Sequence, residues 1–100
     1  MTARNSDDIA ALIETVLSAP GSTDPSVRES ACRGGGLPPI LENYVSKVRG
    51  ESHRITDGDV SRLLDNGYGE DDVFEITVAA ALGIAARGLE SALRKLKEAR

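Results

Sequence analysis

The sequence predicts an all-α fold of about five helices. Through most of the chain, apolar residues recur at intervals of three and four, which is the spacing of one face of a helix. No segment alternates apolar and polar residues in the way that a half-buried strand does. Helix caps and turn-forming residues separate the periodic segments, and residues 76–86 form an uncharged run rich in alanine.

The first predicted helix is amphipathic. Its apolar face consists of Ile9, Leu12, Ile13, Val16 and Leu17. Asn5 or Ser6 can cap its start, because their side chains accept hydrogen bonds from the free N–H groups of a first turn. The tripeptide Ala19-Pro20-Gly21 ends this helix.

Prolines and glycines bound the second and third predicted helices. Thr23 or Asp24 caps a short second helix with Pro25 at its first position, where the missing N–H costs little. Gly34-Gly35-Gly36 stops this helix, and Leu37-Pro38-Pro39 leads into the third. The apolar face of the third helix consists of Ile40, Leu41, Tyr44, Val45 and Val48.

The fourth predicted helix begins with a capping box. Thr56 is the cap and Asp59 follows three residues later, so each side chain can bind the backbone N–H of the other. Asn66-Gly67 provides the left-handed residue that ends a helix. Its core-facing residues are predicted to be Val60, Leu63 and Leu64.

The fifth predicted helix is the longest and carries the uncharged run. It opens between Gly69 and Asp72, with acidic residues at its start and basic residues at its end, as the helix dipole favours. Residues 76–86 are apolar on every side, which is typical of a buried helix. Because 100 residues provide little material to surround such a helix, we expect other copies of the chain to help cover it.

The chain has the length of one domain, within which two parts are expected. Residues 1–36 hold the N-terminal helices and a glycine-rich linker, and residues 37–100 form the helical core. The stretch from residue 20 to residue 36 connects the first helix to the rest of the chain. One interpretation is that it is a flexible tether.

Composition excludes several classes of partner and favours the cytoplasm. The net charge of −4, without a Lys/Arg cluster before the last helical turns, argues against binding of nucleic acid. The longest uncharged run is about half of the ~20 residues that span a membrane, and no signal peptide is expected. Cys32 is the only cysteine, so no internal disulfide is expected, which fits a reducing compartment.

The segment 44–93 carries three motifs. They are ITDGDV at 55–60 followed by Leu63 or Leu64, GYGEDDVFE at 67–75, and ITVAAALG at 76–83 with Leu89 and Leu93 beyond. Together these motifs resemble the carboxymuconolactone decarboxylase superfamily, which includes the alkylhydroperoxidase D-like proteins. The resemblance covers about half of the chain. It implies an all-helical fold that assembles as trimers, hexamers or similar rings, with helices packed between subunits.

The chain departs from the redox-active members of that group. Those members carry a Cys-x-x-Cys pair with a nearby His and Glu, in which the second thiol resolves the intermediate. Here Cys32 is followed by Arg33-Gly34-Gly35 and has no second cysteine to pair with. No redox residue is therefore carried over from the resemblance.

Three residues are candidates for catalysis. Cys32 could act as a peroxidatic thiol, because Arg28 and Arg33 are cationic neighbours of the kind that lower a thiol pKa. His53 is the only side chain whose ordinary pKa lies near neutrality. Glu75 precedes the apolar run, and burial there would raise its pKa and make it a general acid or base. Each also has a structural interpretation: a packed thiol, a solvated histidine, and a first-turn carboxylate or a partner of Arg87.

The sequence therefore supports one main hypothesis and two alternatives. The main hypothesis is a non-catalytic member of the decarboxylase/hydroperoxidase-like group, acting as an oligomeric scaffold or companion subunit. One alternative is a lyase or isomerase on a small acid or lactone, with Glu75 and His53 as proton carriers. The other is a thiol peroxidase that uses Cys32 and an external thiol. No cofactor or metal is expected, since the few possible ligands lack the spacing of a metal site.

Overall fold

The computed structural model describes residues 6–99, with side chains from residue 10 onward. This part of the chain is all-helical and contains no β-strand, which confirms the predicted all-α fold. The elements are α1 (Ser6–Ser18), α2 (Pro25–Arg33), α3 (Pro39–Gly50), a 3-10 helix (Ser52–Arg54), α4 (Asp57–Asp65) and α5 (Glu70–Glu98). The predicted cap Asn5 lies outside the described residues, as do the side chains of the alternative cap Ser6 and of Ile9.

Helix α5 is the centre of the fold, and the other four α-helices pack against it. One face of α5 enters the core with Val73, Ile76, Ala79, Ala80, Gly83 and Ala86. The opposing helices contribute Leu17, Ala31, Leu41, Tyr44, Val45, Val48 and Leu63. Because the α5 residues in this layer are mostly small, neighbouring helix backbones approach it closely.

Helices α2 and α5 approach each other closely at Gly83. A Cβ atom at this position would lie far inside the van der Waals radius of the backbone carbonyl of Cys32. Glycine in a helix interior costs about 1 kcal/mol relative to alanine. At Gly83 the close contact with α2 explains why a glycine is present despite this cost.

Helix α2 lies in the core rather than in a flexible tether. Asp24 caps its start by accepting a hydrogen bond from the Ser26 N–H at 3.1 Å, and Pro25 occupies the first position, as predicted. At its other end the carbonyls are bound by two arginines from other helices. Arg49 donates to Ala31 at 2.9 Å, and Arg87 donates to Cys32 at 3.3 Å. The stretch between residues 20 and 36 is thereby fastened to α3 and α5.

The capping signals predicted for α4 and α5 are confirmed. The Asp59 N–H donates to Thr56 Oγ1 at 3.2 Å, and the Thr56 N–H donates to Asp59 Oδ2 at 2.9 Å. Gly67 has φ = 95°, the left-handed conformation expected after α4. The Gly69 N–H donates to the Asp72 carboxylate at 2.8 Å and closes the first turn of α5.

The prediction that residues 76–86 are buried on every side is wrong for the single chain. Val78 is 40% exposed, and Ala81 and Ala85 are also exposed. The reason is geometric: four short helices cover one face of α5 and leave the opposite face uncovered. The predicted core faces of the first and fourth helices are likewise only partly buried, since Leu12 is 59% exposed and Leu64 is 38% exposed.

Among the described helices, α5 alone has the length and apolar composition that crossing a membrane requires. A core helix of a folded domain has the same composition, and the buried face of α5 packs against its own chain. Its uncharged run covers only residues 76–86, about half of a typical span of ~20 residues.

Candidate functional site

Glu75 binds the turn between α1 and α2. Its carboxylate accepts hydrogen bonds from the Ser22 N–H at 2.8 Å, the Thr23 N–H at 2.9 Å and the Thr23 hydroxyl at 2.6 Å. Asp72, one turn earlier on α5, accepts a further bond from the Ser22 hydroxyl. The first turns of α5 therefore hold the α1–α2 turn in place.

These hydrogen bonds set the protonation state of Glu75. The Thr23 hydroxyl, followed by the Ser22 and Thr23 N–H groups, lowers the pKa of Glu75 from 4.5 to about 2. This direction is opposite to the rise expected for a buried carboxyl, because the donors stabilise the anion more than partial burial destabilises it. A carboxylate with so low a pKa is a weak base at neutral pH, and its contacts indicate a structural role.

A buried arginine lies next to this cluster. Arg28 is only 5% exposed, and its Nε and Nη2 atoms have no hydrogen-bond partner among the described residues. A Cβ atom on Gly21 would lie 2.8 Å from Arg28 Nη1 and 2.7 Å from Glu75 Oε1. The guanidinium and the carboxylate therefore approach the same point beside Gly21, and a larger residue there would have to displace both side chains.

Cys32 is a buried thiol at the end of α2. It is 3% exposed, and burial raises the pKa of its thiol despite the attraction of Arg33, Arg87 and Arg49. The sequence-based expectation was that arginines would lower this pKa, but desolvation is the larger effect. A cavity of about 200 Å³ adjoins the residue and is lined by Ile13, Cys32, Arg33, Gly83, Ala86, Arg87 and Glu90. It is smaller than the pockets that usually hold small molecules.

His53 lies in the exposed 3-10 helix, away from the hydrogen bonds of Glu75. Among the described residues it makes no hydrogen bond, whereas its neighbour Arg54 binds Glu51 at 2.8 Å. The Glu75 carboxylate receives its bonds from Ser22 and Thr23 instead. No contact in the described structure brings the two proposed proton carriers together.

A second cavity, of about 290 Å³, lies between α3 and α4. Two of its charged groups, Lys47 and Asp59, form an ion pair, since Lys47 Nζ donates to the two oxygens of Asp59 at 2.9 and 3.0 Å. That bond, together with those from Thr56, lowers the pKa of Asp59 to about 2. Asp59 is also part of the α4 capping box, so the ion pair locks α3 to the start of α4. Neither His53 nor Glu75 lines this cavity or the one beside Cys32.

Within residues 10–99 the structure forms no group of three or more His, Cys, Asp and Glu side chains able to hold a metal ion. Several large apolar side chains of these residues are exposed on one helix. Together they form an apolar surface. It is the outer face of α5, where Phe74 is 69% exposed, Val78 40%, Leu89 48% and Leu96 58%. We call this surface the outer face of α5 from here on.

No protein-family model matches the chain, and neither a curated protein nor a solved structure is found to match it. The resemblance to the carboxymuconolactone decarboxylase superfamily stays a prediction from the motifs in residues 44–93.

Proposed function

We propose that this protein is a non-catalytic member of the carboxymuconolactone decarboxylase/alkylhydroperoxidase-like group, acting in the cytoplasm as an oligomeric scaffold or companion subunit. The observation that carries the proposal is the outer face of α5. It extends from Phe74 to Leu96 and includes two side chains that are more than half exposed. A continuous apolar surface of this kind marks a site of protein–protein contact.

The position of the outer face supports association. The opposite side of α5 already forms the core of the chain, so the helix cannot turn inward to hide Phe74 or Val78. Between Glu75 and Arg87 no residue of α5 is charged, which leaves a surface that water solvates poorly. Burial of such a surface stabilises an assembly by roughly 25 cal/mol per Å² of apolar area.

The candidate catalytic residues support the non-catalytic part of the proposal. Glu75 has its carboxylate occupied by three hydrogen bonds from the α1–α2 turn. Cys32 is buried with a raised thiol pKa. The lyase alternative requires Glu75 and His53 in one cleft, and the peroxidase alternative requires an accessible thiolate. The described contacts favour the scaffold over both.

Charge substitution on the outer face tests the proposal. Val78→Glu is expected to weaken self-association roughly 100-fold or more, because an interface would bury an unpaired carboxylate. Leu64→Glu is the matched control, since Leu64 on α4 is 38% exposed and Val78 is 40% exposed. Size-exclusion chromatography with light scattering should show an assembly for the wild type and for Leu64→Glu, and a smaller species for Val78→Glu.

The converse pattern would contradict the proposal. Dissociation by Leu64→Glu but not by Val78→Glu would place the interface on another surface. A monomeric wild type would remove the basis of the scaffold role. Thiol-dependent consumption of hydrogen peroxide by the wild type, abolished by Cys32→Ser, would instead establish the peroxidase alternative.

A further inference from the structure

The outer face of α5 contains a regular row of residues. Successive members are four, three, four, three and four positions apart, which is the heptad spacing of a helix that packs along another helix. All of them are exposed, and none is charged. This outer row consists of Phe74, Val78, Ala81, Ala85, Gly88 and Ala92.

The glycine at position 88 is not explained by the packing of the single chain. A glycine in the interior of a helix costs about 1 kcal/mol relative to alanine. At Gly83 that cost is explained by α2, which leaves no room for a side chain. At Gly88 a Cβ atom would meet no atom of residues 10–99 within 4 Å. The single chain therefore gives no packing reason for Gly88, whereas a side chain from another molecule packed against it would.

Side-chain size is arranged asymmetrically along the row. The large members, Phe74 and Val78, lie in its first half, and the second half holds Ala85, Gly88 and Ala92, with the exposed Leu89 and Leu96 beside the row rather than in it. If a second α5 lies antiparallel, with a two-fold axis between Ala81 and Ala85, Phe74 falls opposite Ala92. In the same register Val78 falls opposite Gly88. Each large side chain then meets a small one, which lets the helix axes approach to about 8 Å.

The charges at the two ends of the row follow the same symmetry. Asp71 lies three positions before Phe74, and Lys95 lies three positions after Ala92. Both are exposed. In the antiparallel register Asp71 of one copy faces Lys95 of the other, at both ends of the pair. A parallel pair would instead place Asp71 against Asp71, Lys95 against Lys95, and Phe74 against Phe74.

We propose that the occupant of the outer face is a second copy of this chain, bound with its α5 antiparallel to the first. The inference rests on the proposed function in requiring that the chain assembles, and it adds the partner, the orientation and the register. An interface of this type is isologous, with the same patch on both subunits. It is complete in a dimer and occurs three times in a hexamer built from such pairs.

Disulfide trapping tests the register. In a Cys32→Ala background, the double variant Asp71→Cys/Lys95→Cys is expected to form a covalent dimer under mild oxidation. Each single-cysteine variant should remain uncrosslinked, because the two copies of residue 71 lie about 36 Å apart along the antiparallel helices. Light scattering under reducing conditions and far-ultraviolet circular dichroism confirm that each variant is folded and assembled.

Each outcome of the crosslinking experiment supports the antiparallel pair or overturns it. A covalent dimer only in the double variant supports the antiparallel pair. Crosslinking of the single variants overturns it in favour of a parallel pair. An assembled protein that does not crosslink overturns the pairing while the proposed function stands, and a monomeric protein overturns both.

Charge exchange gives an independent measurement that requires no cysteine. Asp71→Lys is expected to raise the dissociation constant about tenfold at low salt, since two like-charge contacts replace two ion pairs. Adding Lys95→Asp should restore the wild-type value. If the double exchange is no tighter than Asp71→Lys alone, these two residues do not face each other.

Discussion

Gly83→Ala is expected to lower the free energy of unfolding by about 3 kcal/mol or more. The new Cβ atom would overlap the backbone carbonyl of Cys32, and backbone of a packed helix cannot rotate away as a flexible side chain can. Overpacking of this kind costs typically 1–3 kcal/mol, and more where the neighbour is rigid. For a domain of 100 residues, this corresponds to a fall in Tm on the order of 15 °C.

Gly88→Ala is the matched control for this substitution. It makes the same chemical change in the same helix, at a position where the Cβ atom meets nothing within 4 Å. In the Val78→Glu background, which separates the proposed assembly so that Gly88 meets no partner side chain, its effect on the free energy of unfolding should stay within about 1 kcal/mol. Urea denaturation of both substitutions in that background measures the difference. Equal destabilisation by the two substitutions would mean that α2 does not contact α5 at Gly83.

Glu75→Gln is expected to lower the Tm at pH 7 and to remove part of its pH dependence in acid. The folded protein holds the pKa of Glu75 at about 2, below the ordinary 4.5. A group with a depressed pKa stabilises the fold fully above its unfolded pKa and loses that contribution as the pH falls through its folded pKa. The wild-type advantage should therefore be complete above about pH 4.5 and decline towards pH 2.

Glu70→Gln is the control for the charge at the start of α5. Glu70 occupies the first turn of the same helix but makes no hydrogen bond to a described residue. Thermal melts of both variants and the wild type between pH 2 and pH 7 are the measurement. A Glu75→Gln curve parallel to the wild-type curve across this range would show that the α1–α2 turn does not depend on the ionised carboxylate.

The helices and their ends could be predicted because their signals are local. Asp24 with Pro25, Thr56 with Asp59, and Gly67 each act within one helical turn, so the sequence alone identifies them. The structure places all of them where they were expected. The helical periodicity in turn predicted the all-α fold.

The fastening of α2 could not be predicted, because its contacts join residues far apart in the sequence. Arg49 and Arg87 bind carbonyls at the end of α2 from α3 and α5. The contact of Glu75 with Ser22 and Thr23 spans more than 50 residues. None of these pairs follows a spacing that local geometry explains. Residues 20–36 therefore have the sequence pattern of a tether, although Ala31 and Cys32 within them belong to the core.

Which side of α5 is exposed could not be predicted from the sequence either. Residues 76–86 are apolar on every side, so periodicity does not distinguish the face toward the core from the face toward a partner. Only the packing of the other helices determines that Ile76 is buried and Val78 is exposed. The pKa directions of Cys32 and Glu75 depended on the same information, because burial and hydrogen bonding decide them.

Native mass spectrometry of the wild-type chain at micromolar concentration tests the central claim, that the outer face of α5 is covered by another copy of the chain. The account predicts an assembly with an even number of identical chains. A folded monomer at tens of micromolar would contradict it.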